Sequence, residues 1–163
     1  GWSLGVTIAF EMTLRLEKLG EEVSFLGLID APGPQKERQI QTFEFNPGLE
    51  ENHAGVEIIK KSLPAELTKL IPHYDQLDLR QLMYYLDIVG TLTHARAHYT
   101  PAVKIAAALH YFKALQSPLA FRENWKTYCH SPLKSYEITG DHFSILKSPS
   151  STGENRTQLL AAL

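Results

Sequence analysis

The chain opens on Gly1-Trp2-Ser3-Leu4-Gly5, and no other stretch constrains its fold as strongly. A G-x-S-x-G pattern suits a chain that leaves a strand, turns sharply and enters a helix, with the serine at the apex in a strained backbone conformation. Side chains at positions 1 and 5 would be expected to collide with the neighbouring strand and helix, which gives both glycines a steric role. The strand that delivers Ser3 into this turn is expected to precede Gly1.

The required helix follows. Gly5 to Leu19 is predicted helical, with Val6, Ile8, Ala9, Phe10 and Met12 making its first half apolar on nearly every side. Leu14, Leu16 and Leu19 continue a buried stripe among Arg15, Glu17 and Lys18, a pattern of a helix packed under other elements. Gly20 is a natural stop. Val23–Ile29 is a short, almost continuous apolar run, as in a parallel strand covered on both faces. It ends at Asp30, ahead of Ala31-Pro32-Gly33-Pro34, which breaks regular structure.

Residues 33 to about 75 are polar, with isolated Pro47, Pro64 and Pro72 and short helical candidates at Val56–Lys61 and Ala65–Ile71. A longer helix is expected after Asp78 as N-cap. Leu79, Leu82, Met83, Leu86, Val89 and Leu92 form its apolar face, Gly90 is a candidate bend, and it ends near Tyr99-Thr100-Pro101. Strands return at Ile105–Tyr111 and Ser135–Ile138, and Arg156–Leu163 resembles a final helix.

At 163 residues and 44% hydrophobic composition the chain can bury a real core. A formal charge of −2 gives no electrostatic reason to expect nucleic acid. No run of about 18 apolar residues is present to span a membrane. A single cysteine, Cys129, excludes an internal disulfide and fits a reducing cytoplasm.

A serine hydroxyl needs a base within hydrogen-bond reach, and the base needs a group that fixes its tautomer. Ser3, Asp30 and His142 occur in that order: one at the sharp turn, one at the carboxyl end of the next strand, one in a Gly140-Asp141-His142-Phe143 loop after the last strand. Open α/β sheets place ligands at such carboxyl ends. Blander readings exist: Ser3 as a helix cap, Asp30 as a turn former, Asp141 as the acid in place of Asp30, His142 as a surface histidine. An oxyanion hole would draw one amide from Leu4, the residue after the serine, and a second from a loop outside this chain. His94 and His98 stand four apart, a spacing that can bind metal, but no third ligand matches, so no metal site is expected. His53, His73, His110 and His130 look incidental, Cys129 reads as a plain thiol, and Trp125, Tyr84 and Tyr85 as packing residues.

With these residues in place, the chain resembles the thioesterase domains of nonribosomal peptide synthetases and polyketide synthases, members of the α/β-hydrolase superfamily. The resemblance runs through G-W-S-L-G, L-E-K-L-G, V-S-F-L-G-L-I-D-A-P, the H-A-R-A-H-Y-T-P of His94–Pro101, Asn124-Trp125 and G-D-H-F-S-I-L. It covers essentially the whole chain in order. The aromatic Trp2 favours integrated domains over stand-alone editing thioesterases, which more often carry histidine there; Val6 departs from the second glycine of many relatives. The resemblance implies an α/β-hydrolase fold lacking the strands ahead of the elbow, with residues 1–32 forming elbow, helix and acid-bearing strand. Residues 33–100 would be a helical lid, and 101–163 the C-terminal strands, histidine loop and final helix. It implies that Ser3 attacks an acyl or peptidyl thioester on the phosphopantetheine of a carrier domain, a partner expected in the same polypeptide. Hydrolysis or macrocyclisation would release the chain, and the phosphopantetheine would belong to the carrier. A general carboxylester hydrolase, or an inactive fragment that only binds, are the alternatives.

Overall fold

The computed structural model describes residues 1–34, 53–63, 65–68, 71–117, 122–146 and 157. Two compact units are present, Gly1–Arg38 with Arg96–Leu163, and Gln39–Ala95.

The first unit is a parallel sheet with a helix on it. Helix α1 spans Leu4–Lys18, strand β1 Phe25–Ile29, β2 Ala108–Ala114 and β3 Lys134–Ile138. The strand order is β1-β2-β3, all parallel, with Ile29 opposite Phe112 and Phe112 opposite Tyr136. Trp2 adds a parallel bridge to Ile29 on the other side of β1. Parallel pairing sends every strand out at the same edge, so the residues after Trp2, Ile29 and Ile138 gather there.

Side-chain alternation splits the sheet into two faces. Leu26, Leu28, Leu109 and Tyr111 pack with Val6 and Phe10 of α1, and with Trp125 and Cys129. On the opposite face Phe112, Ala114 and Ile138 pack with Trp2, Phe25, Ile29 and Tyr136. Val6, the departure from the thioesterase pattern, is fully buried.

Several boundaries move from those expected. The second strand starts at Ala108, three residues later than expected, and ends at Ala114. Its physical cause is Glu17, whose carboxylate accepts the N–H groups of Ala106 and Ala107 at 2.8–3.0 Å and takes them out of the ladder. Ile105 makes an isolated bridge to Cys129 instead. Val23 and Ser24 lie outside β1, whose first partner is Ala108, and Phe25, Gly27 and Ile29 are only half-buried. The stripe expected to be buried on α1 is also corrected: Ile8, Met12, Leu16 and Leu19 are exposed, and the buried face is Val6, Phe10 and Thr13.

In the second unit, α2 spans His53–Ser62, α3 Ala65–Thr68 and α4 Leu79–His98, with a 3-10 turn at Tyr74–Gln76. The last residues of α4, from Arg96, belong to the first unit. Asp78 caps α4 as expected, and Gln81 returns the bond: Asp78 Oδ1 accepts the Gln81 N–H at 2.8 Å, and Gln81 Oε1 accepts the Asp78 N–H at 3.1 Å. Helix α4 continues through Gly90. Ile59, Ile71 and Leu82 form the core of this unit with Leu79, Leu86 and Tyr85 around them. The expected apolar face fades toward the C-terminus, where Leu92 is exposed, and Tyr84 is a surface residue. The expected helix at Arg156–Leu163 lies outside the described residues apart from Thr157, which is helical.

Candidate active site

Ser3 sits where the chain turns from sheet to helix. Its N–H donates to the Ile29 carbonyl at 3.1 Å, and the Ile29 N–H donates to the Gly1 carbonyl at 2.8 Å. Its backbone φ is positive, 52°, with ψ −123°, a conformation a non-glycine residue adopts only where the surroundings enforce it. Gly1 is what lets the turn close: a Cβ there would lie 2.3 Å from the Gly5 carbonyl oxygen. The matching expectation for Gly5 is corrected, since a Cβ at that position meets nothing within 4 Å. Although Ser3 occupies the N-cap position of α1, its side chain makes no capping hydrogen bond. The Leu4 N–H is the first amide of α1, one of those a helix start leaves without an intrahelical acceptor.

Asp30 follows β1 with φ 43° and a fully buried side chain. Its N–H donates to the Phe112 carbonyl at 2.8 Å, and its Oδ1 accepts the Ala114 N–H at 3.2 Å. A buried carboxylate is costly unless paired; the partner here is His142, whose Nδ1 lies 2.8 Å from Asp30 Oδ2.

His142 is carried by the loop after β3. Gly140 has φ 121°, and its carbonyl accepts the Gln116 N–H at 3.0 Å. The Asp141 Oδ1 accepts the N–H groups of Phe143 and Ser144 at 2.9 and 2.7 Å. That carboxylate therefore shapes the loop, and it is Asp30 that faces the imidazole. His142 Nε2 stands 3.0 Å from Ser3 Oγ. A carboxylate only accepts, so Nδ1 carries the proton toward Asp30, and Nε2 is left to accept the Ser3 hydroxyl. Hydroxyl, imidazole and carboxylate from positions 3, 142 and 30 are thus in one hydrogen-bonded line.

Two supports were not anticipated. The Trp2 indole N–H donates to the His142 carbonyl at 2.9 Å and its ring stacks on the imidazole. Trp125, fully buried against Phe10, donates its indole N–H to the Ala31 carbonyl at 3.2 Å, next to Asp30. A G-x-S pattern and a lone tryptophan carry no sequence signal for such long-range bonds.

Elsewhere, Thr7, Pro32, Gly33, Pro34, Arg96 and Tyr99 line a cleft whose walls do not include Ser3, Asp30 or His142. Burial pushes the Cys129 thiol above its ordinary range, which fits an inert thiol. His110, expected to be incidental, is buried, with Nδ1 3.0 Å from Tyr136 Oη. His94 and His98 are exposed on α4, and among the described residues no three His, Cys, Asp or Glu side chains are grouped to hold a metal. Among the described residues no helix is long and apolar enough to cross a membrane.

A serine on a strained turn into a helix, set at the edge where the strands of a parallel sheet end, is the arrangement of an α/β-hydrolase-type fold. Within that class, the thioesterase-domain family matches residues 1–159, and the chain belongs to it. Atromentin synthetase invA1 of Paxillus involutus is 25% identical over 175 aligned residues, which cover 90% of this chain and 18% of the synthetase. Microperfuranone synthase of Emericella nidulans is 33% identical over 97 residues, covering 60% of this chain and 10% of that protein. The chain therefore spans less than a fifth of these relatives. The thioesterase domain SrfTE, solved in connection with cyclization of the lipopeptide antibiotic surfactin, superposes with a TM-score of 0.65 at 16% identity. That match covers 99% of this chain and 64% of the solved one, and it shows a common fold.

Proposed function

We propose that this chain is the catalytic part of a serine thioesterase that releases an acyl or peptidyl group from the phosphopantetheine thioester of a carrier domain. The observation that carries the reading is the line Ser3 Oγ, His142 Nε2, His142 Nδ1, Asp30 Oδ2, with contacts of 3.0 and 2.8 Å. Names of relatives support it: two are synthetases or synthases, and a further likeness in fold is to a four-domain nonribosomal peptide synthetase.

In this reading Ser3 Oγ attacks the thioester carbonyl carbon as its proton passes to His142 Nε2. Asp30 holds the Nδ1–H tautomer and stabilises the imidazolium. The Leu4 N–H is one donor to the oxyanion. The intermediate collapses, the C–S bond breaks, and His142 returns its proton to the departing thiolate. Water, or an amine or hydroxyl of the bound chain, then attacks the Ser3 ester with His142 again as base. Hydrolysis and ring closure differ only in that second nucleophile. In this reading the protein works beside its carrier, and its single cysteine, Cys129, fits a reducing cytoplasm.

The test is labelling by a fluorophosphonate together with turnover of a carrier-bound thioester. Labelling at Ser3, lost in Ser3→Ala, with carrier thioesters preferred over short free esters, supports the reading. Preference for short free esters would mark a general carboxylester hydrolase. Absence of both labelling and turnover would leave a binding module.

A further inference from the structure

Trp2 stands between Gly1 and Ser3 in the elbow, and its two halves do different work. Its backbone belongs to the sheet through the bridge to Ile29. Its side chain reaches the other end of the chain: the indole N–H donates to the main-chain carbonyl of His142 at 2.9 Å. The same indole stacks on the imidazole, ring centres 5.1 Å apart and planes 28° apart. Phe143 closes the arrangement with edge-on contacts to Trp2 at 6.4 Å and His142 at 5.2 Å.

We propose that Trp2 is a positioning residue that registers the base His142 against the nucleophile Ser3; the proposal rests on the roles given to those two residues above. The histidine loop has its own local bonds through Asp141, and Gly140 ties its start to Gln116 through both its N–H and its carbonyl, but none of these bonds reaches His142 itself. Asp30 restrains one nitrogen of the imidazole. Trp2 restrains the backbone behind the ring and one of its faces. Since Trp2 is covalently next to Ser3, any shift of the elbow carries the holder of the base with it.

The stack also acts unequally along the reaction. A neutral imidazole gains little from an indole face, whereas the imidazolium formed when Ser3 gives up its proton is attracted to the electron-rich ring. Trp2 therefore favours the transition state over the bound substrate, and its loss lowers kcat more than it raises KM.

The experiment compares the intact protein with Trp2→Phe, which keeps a ring face but no donor, and Trp2→Leu, which keeps neither. Four quantities are read: kcat and KM with an acyl N-acetylcysteamine thioester, the downfield proton resonance of His142 Nδ1–H, and the thermal midpoint. Misplacing a catalytic group by about 1 Å can cost on the order of 100-fold. Trp2→Leu is expected to lose kcat by about 10- to 100-fold with KM changed less than about threefold, and to broaden the Nδ1–H signal. Trp2→Phe is expected to fall between it and the unsubstituted protein. A folded Trp2→Leu protein with undiminished kcat and a sharp Nδ1–H resonance overturns the proposal. Where Trp2→Leu does not fold, Trp2→Phe decides: full activity with an unchanged resonance overturns it, and partial loss supports it. An unsubstituted protein with no Ser3-dependent turnover rejects the thioesterase reading instead, and the resonance alone then judges whether Trp2 holds the imidazole.

Discussion

Ser3 and Asp30 share an unusual backbone state one residue beyond a pair of bridged neighbours: Trp2 pairs with Ile29, and the residues that follow hold φ of 52° and 43°. Each such conformation costs on the order of 1–3 kcal/mol in a non-glycine residue. The hydrogen bonds from Ser3 N–H to Ile29 and from Asp30 N–H to Phe112 help to hold them. The result is that a hydroxyl and a carboxylate leave adjacent parallel segments and meet the same imidazole from its two nitrogens.

Removing members of this line should therefore affect chemistry far more than fold. Ser3→Ala is expected to cost roughly 10⁴- to 10⁶-fold in kcat, and Asp30→Asn about 10⁴-fold, since an amide can stabilise the wrong imidazole tautomer. Release of thiol from the thioester in a single turnover measures both. Losses below tenfold in folded variants would remove the triad reading.

The two glycines of the elbow are predicted to behave differently. A methyl group at Gly1 would press on the backbone of Gly5 and Val6 at 2.3–2.7 Å, and backbone in a helix start cannot yield cheaply. Gly1→Ala is expected to abolish fluorophosphonate labelling of Ser3. Gly5 lies inside α1 with open space at its Cβ position, and replacing a helical glycine by alanine is worth up to about 1 kcal/mol. Gly5→Ala should keep activity and shift the urea midpoint upward or not at all; equal damage from both substitutions would contradict the steric account.

The meeting of Ser3, Asp30 and His142 was legible from three different signals: a G-x-S-x-G turn around Ser3, an apolar run that ends at Asp30, and a Gly140-Asp141-His142-Phe143 loop after the last strand. The α1 surface was not legible. Ile8, Met12 and Leu16 have the same chemistry as Val6 and Phe10, and periodicity cannot say which face finds a partner. The start of β2 was misjudged because Ile105–Ala107 is as apolar as a strand, while the Glu17 carboxylate that claims its amides lies about 90 residues away in sequence. Trp2 and Trp125 act through single long-range hydrogen bonds, for which a sequence pattern has no period.

Trp125 offers a separate test, since its side chain supports both the core and the acid. Fully buried, it packs on Phe10 and holds the Ala31 carbonyl through its indole N–H. Trp125→Ala is expected to cost about 3–5 kcal/mol of stability by leaving a cavity. Trp125→Phe keeps most of the packing and loses the donor, so its kcat should fall while its urea midpoint moves less than that of the alanine variant. A phenylalanine variant with unchanged kcat would confine Trp125 to packing.

His110 makes a pH-dependent contribution to the sheet. It is 3% exposed on β2, directly opposite Gly27 on β1 and Lys134 on β3. Having no side chain at Gly27 leaves room for the Phe25 ring, which lies 4.7 Å from the imidazole, while Tyr136 stacks at 5.6 Å. Burial lowers the affinity of this imidazole for a proton, and the Lys134 ammonium pushes the same way. An unfolded chain offers a histidine near about 6.5, so between that value and the lower folded one the unfolded state binds more protons. Stability is then fully present above about pH 6.5 and is lost as pH falls through that value toward the folded one. The neutral ring shares a hydrogen bond with the Tyr136 hydroxyl through Nδ1; a protonated ring would carry its charge in a buried position beside the Lys134 ammonium. His110→Gln cannot titrate, so its urea midpoint should fall less between pH 7.5 and 5 than that of the unsubstituted chain. Parallel pH dependence in the two proteins would assign the acid sensitivity of the fold to other groups.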